Sequence, residues 1–252
     1  MRQYGLIGKV LSHSFSKKYF DNKFKTLGDK NCNYDLFELK SIEDIHTLLA
    51  NDSLCGFNVT IPYKQSILQY IDEVSAEALQ VGAVNVVKIE RSKAGIPFLK
   101  GYNTDIYGFK YSLLPLLKTN HRRALIFGTG GASKAVAYVL KSLNIDYKFV
   151  SRTQTGENIL AYSDINDKLL SECNLLINTT PAGMYPNITE SPFIDFKLLT
   201  PQHLCYDLIY NPEKTLFLQQ SEIYGATIKN GYDMLVLQAE KSWTIWNEKE
   251  DL

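Results

Sequence analysis

Segments typical of β-strands and of helices take turns along the first third of the chain. The strand-like segments are short and apolar, and the helix-like segments carry apolar residues at helical spacing. In chain order these segments are YGLIG, SKKYFDNKFKTLG, NYDLFEL, SIEDIHTLLAND and CGFNVTI. Parallel strands need a crossover connection that is usually a helix, so this alternation predicts a mostly parallel sheet with helices packed on its faces.

A second α/β pattern begins at Arg123, after a polar and basic connecting segment. Its strand ALIFG leads into a glycine-rich turn and a helical pattern, and later strand-like segments are YKFVS, NLLINTT and LCYDLIY. Between the two patterns, extended segments end near Thr104 and a helical pattern covers 105–117. We therefore place a domain boundary near Asp105, with residues 1–105 in one domain and 106–231 in the other.

The last segment, 232–252, has apolar residues at helical spacing and includes two large aromatic residues, Trp243 and Trp246. A helix of this kind needs an apolar surface to cover. We expect it to return to the first domain and to complete it.

The bulk composition argues against several classes of partner. The 252 residues carry a net charge of zero, so no global field attracts nucleic acid or an anionic membrane, and the expected partner is a small molecule. No apolar run is long enough to span a bilayer or to form a signal peptide, which favours a cytoplasmic protein. The composition does not decide the oligomeric state, and both a monomer and a homodimer stay open. The four cysteines lie far apart without a CxxC pair, so we expect reduced thiols and no metal site.

Three glycines, Gly128, Gly130 and Gly131, stand directly after an apolar strand and directly before a helical pattern. Glycine lets the backbone turn tightly and approach a pyrophosphate, whose charge is stabilised by the amide groups at a helix N-terminus. This context favours a Rossmann-type dinucleotide site, although Ser133 stands where a third glycine would fall. The alternative is an ordinary glycine-rich turn of an α/β protein.

The strand that follows this helix ends in Ser151, Arg152 and Thr153. Enzymes that use NAD usually offer Asp or Glu here to bind the ribose 2′-hydroxyl, and a carboxylate would repel the 2′-phosphate of NADP. A guanidinium pairs with that phosphate, and two neighbouring hydroxyls add hydrogen bonds. The segment therefore favours NADP over NAD, the alternative being a surface arginine without a ligand.

Three segments of the first domain are more polar than the strands they adjoin: HSFS at 13–16, NVTIPYK at 58–64 and AVNVV at 83–87. In an open α/β sheet the ligand lies beyond the carboxyl ends of the strands, where these segments are expected. Lys64 is the sharpest candidate for an acid or base, because burial and neighbouring groups tune the pKa of a lysine. Asp105 is a candidate partner, and the alternative for Lys64 is a solvated surface lysine.

Taken together, these segments resemble the shikimate dehydrogenase family. The motifs that carry the resemblance cover nearly the whole chain and are, in order, GLIGKVLSHSFS, NVTIPYK, GAVNVV, NTD, GTGGAS, SRT, INTTPAGM, YDLIY and LVLQA. The resemblance implies an N-terminal α/β substrate domain and a Rossmann-type, doubly wound NADP-binding domain. It also implies that the C-terminal helix returns to the substrate domain.

The resemblance further implies roles for individual residues. Lys64 and Asp105 match the family's catalytic pair, and Ser14 and Ser16 match the hydroxyls that hold the substrate carboxylate. The positions matched to groups that bind the ring hydroxyls or carboxylate are Thr60, Asn85, Tyr210 and Gln238. The positions matched to the cofactor site are Gly128, Thr129, Gly130, Gly131, Ala132, Ser151, Arg152, Thr153, Leu208 and Gly231.

Several positions have a purely structural alternative when only the residues are considered. Tyr210 would serve as core packing, Gln238 as a polar residue on a helix surface, and Gly231 as a turn or cap. Asn58 is expected to brace its own turn through side-chain to backbone hydrogen bonds, and it stays outside the substrate set.

The chain departs from the family pattern at three places. The segment QTG follows Arg152 where a second basic residue is common, which weakens the expected preference for NADP. Ile106 stands where a glycine is frequent, and Ser242 replaces a glutamine often seen one turn beyond Gln238. These changes affect the expected substrate affinity more than the reaction type.

The resemblance implies the reversible NADPH-dependent reduction of 3-dehydroshikimate to shikimate, a step of chorismate and aromatic amino acid biosynthesis. The hydride goes to the C3 carbonyl carbon, Lys64 supplies or relays a proton to the oxygen, and Asp105 holds the reacting groups in line. Two alternatives stay open: a dehydrogenase for quinate or a similar hydroxylated cyclohexane carboxylate with NAD, and a regulator that binds NADPH without turnover.

Overall fold

The computed structural model of the protein describes residues 1–12, 14–153 and 156–248 and contains two compact α/β units. Unit 1 contains Met1–Thr104 and the chain from Ala239 onward, and unit 2 contains Asp105–Gln238. The predicted α/β class is confirmed in both units. The sequence predictions also name residues that lie outside the described ranges: His13, Gln154, Thr155 and 249–252.

Unit 1 is built on a six-stranded sheet in the order β2-β1-β3-β5-β6-β4. Its strands are β1 (Arg2–Gly8), β2 (Cys32–Glu38), β3 (Leu54–Val59), β4 (Glu73–Val74), β5 (Val86–Arg91) and β6 (Pro97–Tyr102). The helices between them are α1 (Phe15–Leu27), α2 (Ile45–Leu49) and α3 (Ala76–Val81). β1 is parallel to β2 and β3, whereas β5 is antiparallel to β3 and β6. The sheet is therefore mixed, because the short connection between β5 and β6 permits only a hairpin.

The reversal of β5 decides which segments meet at one edge of this sheet. β1, β3 and β6 run in the same direction, so their carboxyl ends lie at one edge, and β5 begins there. The pairing of Asn58 with Val86, and of Val86 with Tyr102, fixes this register. The segments that follow β1, β3 and β6 therefore share an edge with the segment that precedes β5.

The last helix of unit 1 is the C-terminal part of α8 (Tyr232–Asn247), which packs on the central strands as predicted. Trp246 is buried, stacks on Tyr4 with ring centroids 4.8 Å apart, and donates Nε1 to the Val87 carbonyl oxygen at 2.9 Å. Gly56 makes room for this ring, because a Cβ at Gly56 would lie 2.5 Å from Trp246 Nε1. Trp243 meets Tyr4 edge-on, with centroids 5.6 Å apart. These rings tie the C-terminal helix to β1, β3 and β5.

Unit 2 contains a second six-stranded sheet, in the order β12-β11-β10-β7-β8-β9, and its neighbouring strands are parallel. Its strands are β7 (Arg123–Phe127), β8 (Asp146–Ser151), β9 (Ile159–Ala161), β10 (Leu175–Asn178), β11 (Leu204–Asp207) and β12 (Thr227–Lys229). Its helices, besides the start of α8, are α4 (Asp105–Leu113), α5 (Gly131–Ser142), α6 (Asp167–Glu172) and α7 (Leu216–Ile223). The strand order reverses between β7 and β10, where doubly wound sheets bind their ligands, and the predicted Rossmann-type topology is confirmed.

The helix predicted over 105–117 is shorter in the structure. α4 ends at Leu113 and a 3-10 turn covers Leu114–Leu116, because Pro115 has no amide hydrogen with which to continue the helix. None of the helices within the described ranges is both long and apolar enough to cross a bilayer.

A buried carboxyl group connects the loops that follow β10 and β11. Asp207 accepts hydrogen bonds from Thr215 Oγ1 at 2.6 Å, from the Ile209 amide at 3.0 Å and from Asn178 Nδ2 at 3.1 Å. Burial raises the pKa of Asp207 to about 6, from an ordinary value of 3.8, although these three hydrogen bonds act in the opposite direction. Asp207 therefore links three segments of unit 2 through its hydrogen bonds, and its ionisation opposes folding.

The first prediction concerns the aromatic contact of α8. Trp246→Phe should lower the free energy of unfolding by about 2–3 kcal/mol, because it leaves the Val87 carbonyl unsatisfied and creates a small cavity. Trp243→Phe is the matched control and should cost less, since Trp243 is only half-buried. Denaturant unfolding followed by far-UV circular dichroism measures both. Equal losses in the two variants would contradict the assignment.

The second prediction concerns Asp207. Its pKa is higher in the folded than in the unfolded chain, so its stabilising contribution is complete below pH about 4 and is lost as pH rises through about 6. The difference in unfolding free energy, wild type minus Asp207→Asn, should therefore decrease by about 2–3 kcal/mol between pH 4 and 7.

Denaturant unfolding at several pH values measures this difference. Asp167→Asn removes an exposed carboxylate of the same unit and is the matched control, for which the difference should stay nearly constant. A difference for Asp207→Asn that grows with pH would refute the raised pKa.

Candidate active site

Two serine hydroxyls stand at the N-terminus of α1. Ser14 is the N-cap residue, and its Oγ accepts a hydrogen bond from the Ser16 amide at 3.2 Å. The cap uses a lone pair of Ser14, so the hydroxyl proton remains for another acceptor. Burial raises the pKa of Tyr34 well above its ordinary value, and a hydrogen bond with the Ser16 side chain lowers it. The helix N-terminus thus offers hydroxyl donors and the positive end of its dipole to an anion.

Thr60 and Lys64 lie on the turn that follows β3. The Thr60 amide donates to the Ile7 carbonyl oxygen at 3.0 Å, which holds the turn against the edge of the sheet. Tyr63 is buried and donates its hydroxyl to a main-chain carbonyl at 2.7 Å, so it anchors the residue directly before Lys64. The Lys64 carbonyl accepts a hydrogen bond from the Val84 amide at 2.8 Å. The half-buried Lys64 is therefore held next to the start of β5.

Asn85 and Thr104 join the start of β5 to the end of β6. Asn85 Oδ1 accepts hydrogen bonds from the Thr104 amide at 2.7 Å and from Thr104 Oγ1 at 3.3 Å. The main-chain N–H of Asn85 donates a hydrogen bond to the Tyr102 carbonyl oxygen at 3.0 Å. Asp105, the next residue along the chain, is the buried first residue of α4 and the first residue of unit 2.

Asn58 does not brace its own turn, contrary to the sequence prediction. Its buried Oδ1 accepts a hydrogen bond from the Tyr34 hydroxyl at 2.8 Å, and its Nδ2 donates to Ser242 Oγ at 3.0 Å and to the Asn85 carbonyl at 3.4 Å. Asn58 therefore connects β2, the residue before β5 and α8. Tyr34 was not predicted as a site neighbour, because a tyrosine in an apolar strand has the pattern of an ordinary core residue.

Asp105 and Gln238 lie on helices that pack closely within unit 2. Gly108, one turn after Asp105 on α4, is the point of contact: a Cβ there would lie 2.5 Å from the Met234 carbonyl oxygen and 3.1 Å from Gln238 Cβ. Tyr210 follows β11 and is half-buried, and burial raises the pKa of its hydroxyl. The structure thus places Asp105 and Gln238 on adjoining helices and Tyr210 on a separate loop.

The glycine-rich turn between β7 and α5 has the shape of a phosphate site. Gly128 has a φ of 101°, which glycine adopts without strain, and a Cβ there would lie 2.9 Å from Thr179 Oγ1 and 3.0 Å from Thr180 Cγ2. A Cβ at Gly130 or Gly131 would meet no protein atom within 4 Å. The turn is therefore backed by the loop after β10 and open above the helix, which fits the close approach of a pyrophosphate.

Ser133 accounts for the missing third glycine of this turn. It is fully buried, and its Oγ donates to the Gly130 carbonyl oxygen at 2.6 Å, so a small polar residue braces the turn. Gly130 is the N-cap residue of α5. Since glycine has no side chain, it offers no side-chain acceptor to the first N–H groups of this helix. Thr129 and Ala132 are half-buried in the same turn.

The segment after β8 lies beside this turn, because β8 is the parallel neighbour of β7. Ser151 is buried and accepts a hydrogen bond from the Thr153 amide at 3.3 Å, while the side chains of Arg152 and Thr153 are exposed. Burial raises the pKa of Tyr162, and the charge of Arg152 lowers it, which places the guanidinium near that ring. Arg152 is thus accessible at the same sheet edge as the glycines.

Leu208 and Gly231 are neighbours in space. The Gly231 amide donates to the Ile209 carbonyl oxygen at 3.0 Å, and a Cβ at Gly231 would overlap the Leu208 carbonyl oxygen. Gly231 therefore has a packing role of its own, and its contact with a cofactor stays a prediction.

The structure gathers one group of predicted site residues at the shared edge of the unit 1 sheet: Ser14, Ser16, Thr60, Lys64 and Asn85. The other predicted residues, including Asp105, Tyr210, Gln238 and the cofactor set, belong to unit 2. Within the described part of the chain, no group of three or more His, Cys, Asp or Glu side chains is placed to hold a metal ion.

The chain is similar to known proteins over nearly its whole length. The family model for the shikimate dehydrogenase substrate binding domain matches residues 6–87, which belong to unit 1. A protein from Methanococcus maripaludis named shikimate dehydrogenase (NADP(+)) is 38% identical over 263 residues, which cover 96% of this chain and 90% of the relative.

Two solved structures have a similar fold over almost the whole chain. Shikimate 5-dehydrogenase from Thermus thermophilus, in complex with NADP(H) and shikimate, is 27% identical with a TM-score of 0.83, covering 98% of this chain and 94% of that one. Quinate dehydrogenase from Corynebacterium glutamicum, in complex with NAD, is 27% identical with a TM-score of 0.85, covering 98% and 93%. Because the chain is 38% identical to the Methanococcus protein over nearly the full length of both, it belongs to the shikimate dehydrogenase family.

Proposed function

We propose that this protein catalyses the reversible NADPH-dependent reduction of 3-dehydroshikimate to shikimate, a step of chorismate and aromatic amino acid biosynthesis. The observation that carries the proposal is the set of hydroxyls, lysine and amide at one edge of the unit 1 sheet, in a chain of this family. The Methanococcus relative bears the name of this enzyme, and the Thermus enzyme was solved with NADP(H) and shikimate.

We assign the substrate carboxylate to Ser14 and Ser16. Ser14 Oγ caps α1 with a lone pair, so its hydroxyl proton can be donated to the carboxylate, and the helix dipole favours negative charge at this end. Thr60 and Asn85 lie at the same edge and are assigned to the ring oxygens. Tyr210 and Gln238 stay in the proposed substrate set on the family match alone.

Lys64 is the proposed proton donor. NADPH, when bound, supplies a hydride to the C3 carbonyl carbon, and the carbonyl oxygen then needs a proton. The Lys64 ammonium gives that proton in the reduction, and the neutral amine takes it back in the oxidation. Asp105, the second member of the proposed catalytic pair, orients the reacting hydroxyl of the substrate.

The proposed cofactor site lies along the carboxyl edge of the unit 2 sheet. The turn from Gly128 to Ala132 receives the pyrophosphate, because no side chain stands above Gly130 and Gly131. Arg152 pairs with the 2′-phosphate, and Ser151 and Thr153 flank it. The remaining members of the proposed cofactor set are Leu208 and Gly231.

A quinate dehydrogenase that uses NAD is the second candidate. It is favoured by the TM-score of 0.85 to the Corynebacterium enzyme, which was solved with NAD. Arg152 weighs against it, because β8 ends without the carboxylate that would bind a ribose 2′-hydroxyl. A regulator without turnover is disfavoured by Lys64 and Asp105, since a sensor needs no acid–base pair.

We further propose that this protein is cytoplasmic, that it is a monomer or a homodimer, and that it acts on small molecules and not on nucleic acid or membranes. Its four cysteines, Cys32, Cys55, Cys173 and Cys205, carry free thiols, which suits a reducing compartment. The net charge of zero gives no general attraction to polyanions.

The third prediction tests the acid–base role of Lys64. Lys64→Ala should lower kcat for shikimate oxidation by about 10²–10⁴-fold, the usual size of a general acid–base contribution. NADPH binding, measured by fluorescence titration, should not change, because the cofactor residues belong to unit 2. Lys93→Ala, which removes an exposed lysine between β5 and β6, is the matched control. A Lys64→Ala enzyme with nearly wild-type kcat would refute the assignment.

The fourth prediction tests the cofactor preference. Arg152→Ala should raise KM for NADP about 10- to 100-fold, as expected from the loss of a charged hydrogen-bonded pair, and should leave KM for NAD unchanged. Arg122→Ala removes another exposed arginine of unit 2 and serves as the control. Initial rates at varied cofactor concentration measure these constants. Equal effects on NADP and NAD would contradict the contact with the 2′-phosphate.

A further inference from the structure

A chain of hydrogen bonds crosses the interior of unit 1 from β2 to the start of β5. Its members, in order, are Tyr34, Asn58, Ser242, Thr104 and Asn85. All five are between 0 and 5% exposed. Buried polar groups stabilise a structure only when each one has its partners, so the chain acts as a unit.

The chemistry of the donors orders this chain in one direction. The Tyr34 hydroxyl donates to Asn58 Oδ1, and Asn58 Nδ2 donates to Ser242 Oγ at 3.0 Å. The orientation of the Asn58 amide is supported by a third contact, from Nδ2 to a main-chain carbonyl at 3.4 Å. Ser242 Oγ is thus an acceptor toward Asn58, and the next member of the chain lies beyond it.

Thr104 is that next member. Thr104 Oγ1 lies 3.4 Å from Ser242 Oγ, a long contact, and the Thr104 hydroxyl donates onward to Asn85 Oδ1 at 3.3 Å. The Thr104 amide donates to the same oxygen at 2.7 Å. Asn85 Oδ1 therefore receives two donors from one residue.

These two donors decide which end of the Asn85 amide faces the protein. If the amide turned over, its NH2 group would meet the Thr104 N–H, and two buried donors would face each other. Asn85 is thereby fixed with Oδ1 on Thr104, and its N–H donors point elsewhere. Such donors suit a hydroxyl or carbonyl oxygen of a ligand and disfavour a ligand that offers only a donor.

We propose that Thr104 and Ser242 are positioning residues for the reaction, acting through the orientation of Asn85. This inference rests on the function proposed above, because it assigns Asn85 to a ring oxygen of the substrate. Neither residue needs to touch the substrate, since both are fully or almost fully buried. Their effect should fall on KM for the substrate, because an oriented amide binds the ground state and the transition state alike.

Steady-state kinetics with shikimate and NADP test the proposal on the full-length protein. Valine has the shape of threonine without the hydroxyl, so Thr104→Val should raise KM for shikimate about tenfold, with kcat changed by no more than about twofold. Thr104→Ser keeps the hydroxyl and should restore KM to within about twofold of wild type. KM for NADP should stay the same in both variants.

Ser242→Ala removes the preceding link and should raise KM for shikimate by about three- to tenfold. Ser221→Ala is its matched control, because Ser221 is also a fully buried helical serine, with Oγ donating to the Phe217 carbonyl oxygen at 2.7 Å in unit 2. Ser221→Ala should change the midpoint of denaturant unfolding as Ser242→Ala does, but not KM for shikimate. Equal effects of the two variants on KM would overturn the proposal.

A double-mutant cycle shows whether Thr104 acts through Asn85. In an Asn85→Ala background, Thr104→Val should raise KM for shikimate by less than about twofold, since the amide to be oriented is gone. Effects that multiply independently, or an unchanged KM in Thr104→Val alone, would overturn this proposal while the proposed function stands. Wild-type protein that does not turn over shikimate would overturn both.

Discussion

The hydrogen bonds from Thr104 to Asn85 Oδ1 hold the end of β6 against the start of β5, and the polar edge of unit 1 depends on them. β5 is the antiparallel strand of this sheet, so the residue before it reaches the same edge as the residues that follow β3. Lys64 is held at that edge through its carbonyl, which accepts a hydrogen bond from the residue before Asn85. The contact also fixes the point at which the chain leaves unit 1, since Asp105 comes next.

Unit 2 obtains its ligand edge by a different physical means, the removal of side chains. Gly128 combines a left-handed backbone with a close approach to the threonines after β10. Gly130 and Gly131 have no such neighbours, and their missing side chains keep the start of α5 open. Gly231 is required for a third reason, because the carbonyl of Leu208 occupies the place of a Cβ. In the proposed function, the first amides of α5 and the exposed Arg152 bind the anionic cofactor.

The sequence predicted the elements whose signal is local. The run ALIFGTGGAS contains strand, turn and helix start within ten letters, and the structure has β7 and α5 there. The end of α4 was predicted four residues too late, because the apolar spacing continues through the 3-10 turn at Leu114–Leu116. The direction of β5 is not a local property: its segment VVKIER suits a parallel strand as well as an antiparallel one, and the pairing with β3 and β6 decides.

Candidate residues were easier to predict than their partners. Lys64 and Asn85 stand in polar segments next to strands, and the resemblance to the family singles them out among the polar residues there. Asn58 stands in the same kind of segment, but its partners Tyr34 and Ser242 are 24 and 184 positions away, so its role depends on tertiary packing. A tyrosine or serine whose hydroxyl is buried has no sequence signature until the fold supplies its partner.

The most direct test of the proposed reaction is kcat/KM of the wild-type protein for shikimate and for quinate, each with NADP and with NAD. We expect the highest value for shikimate with NADP, and a value lower by about tenfold or more when either the substrate or the cofactor is exchanged. The highest value for quinate with NAD, or no turnover with any pair in protein that binds NADPH, would refute the proposed reaction.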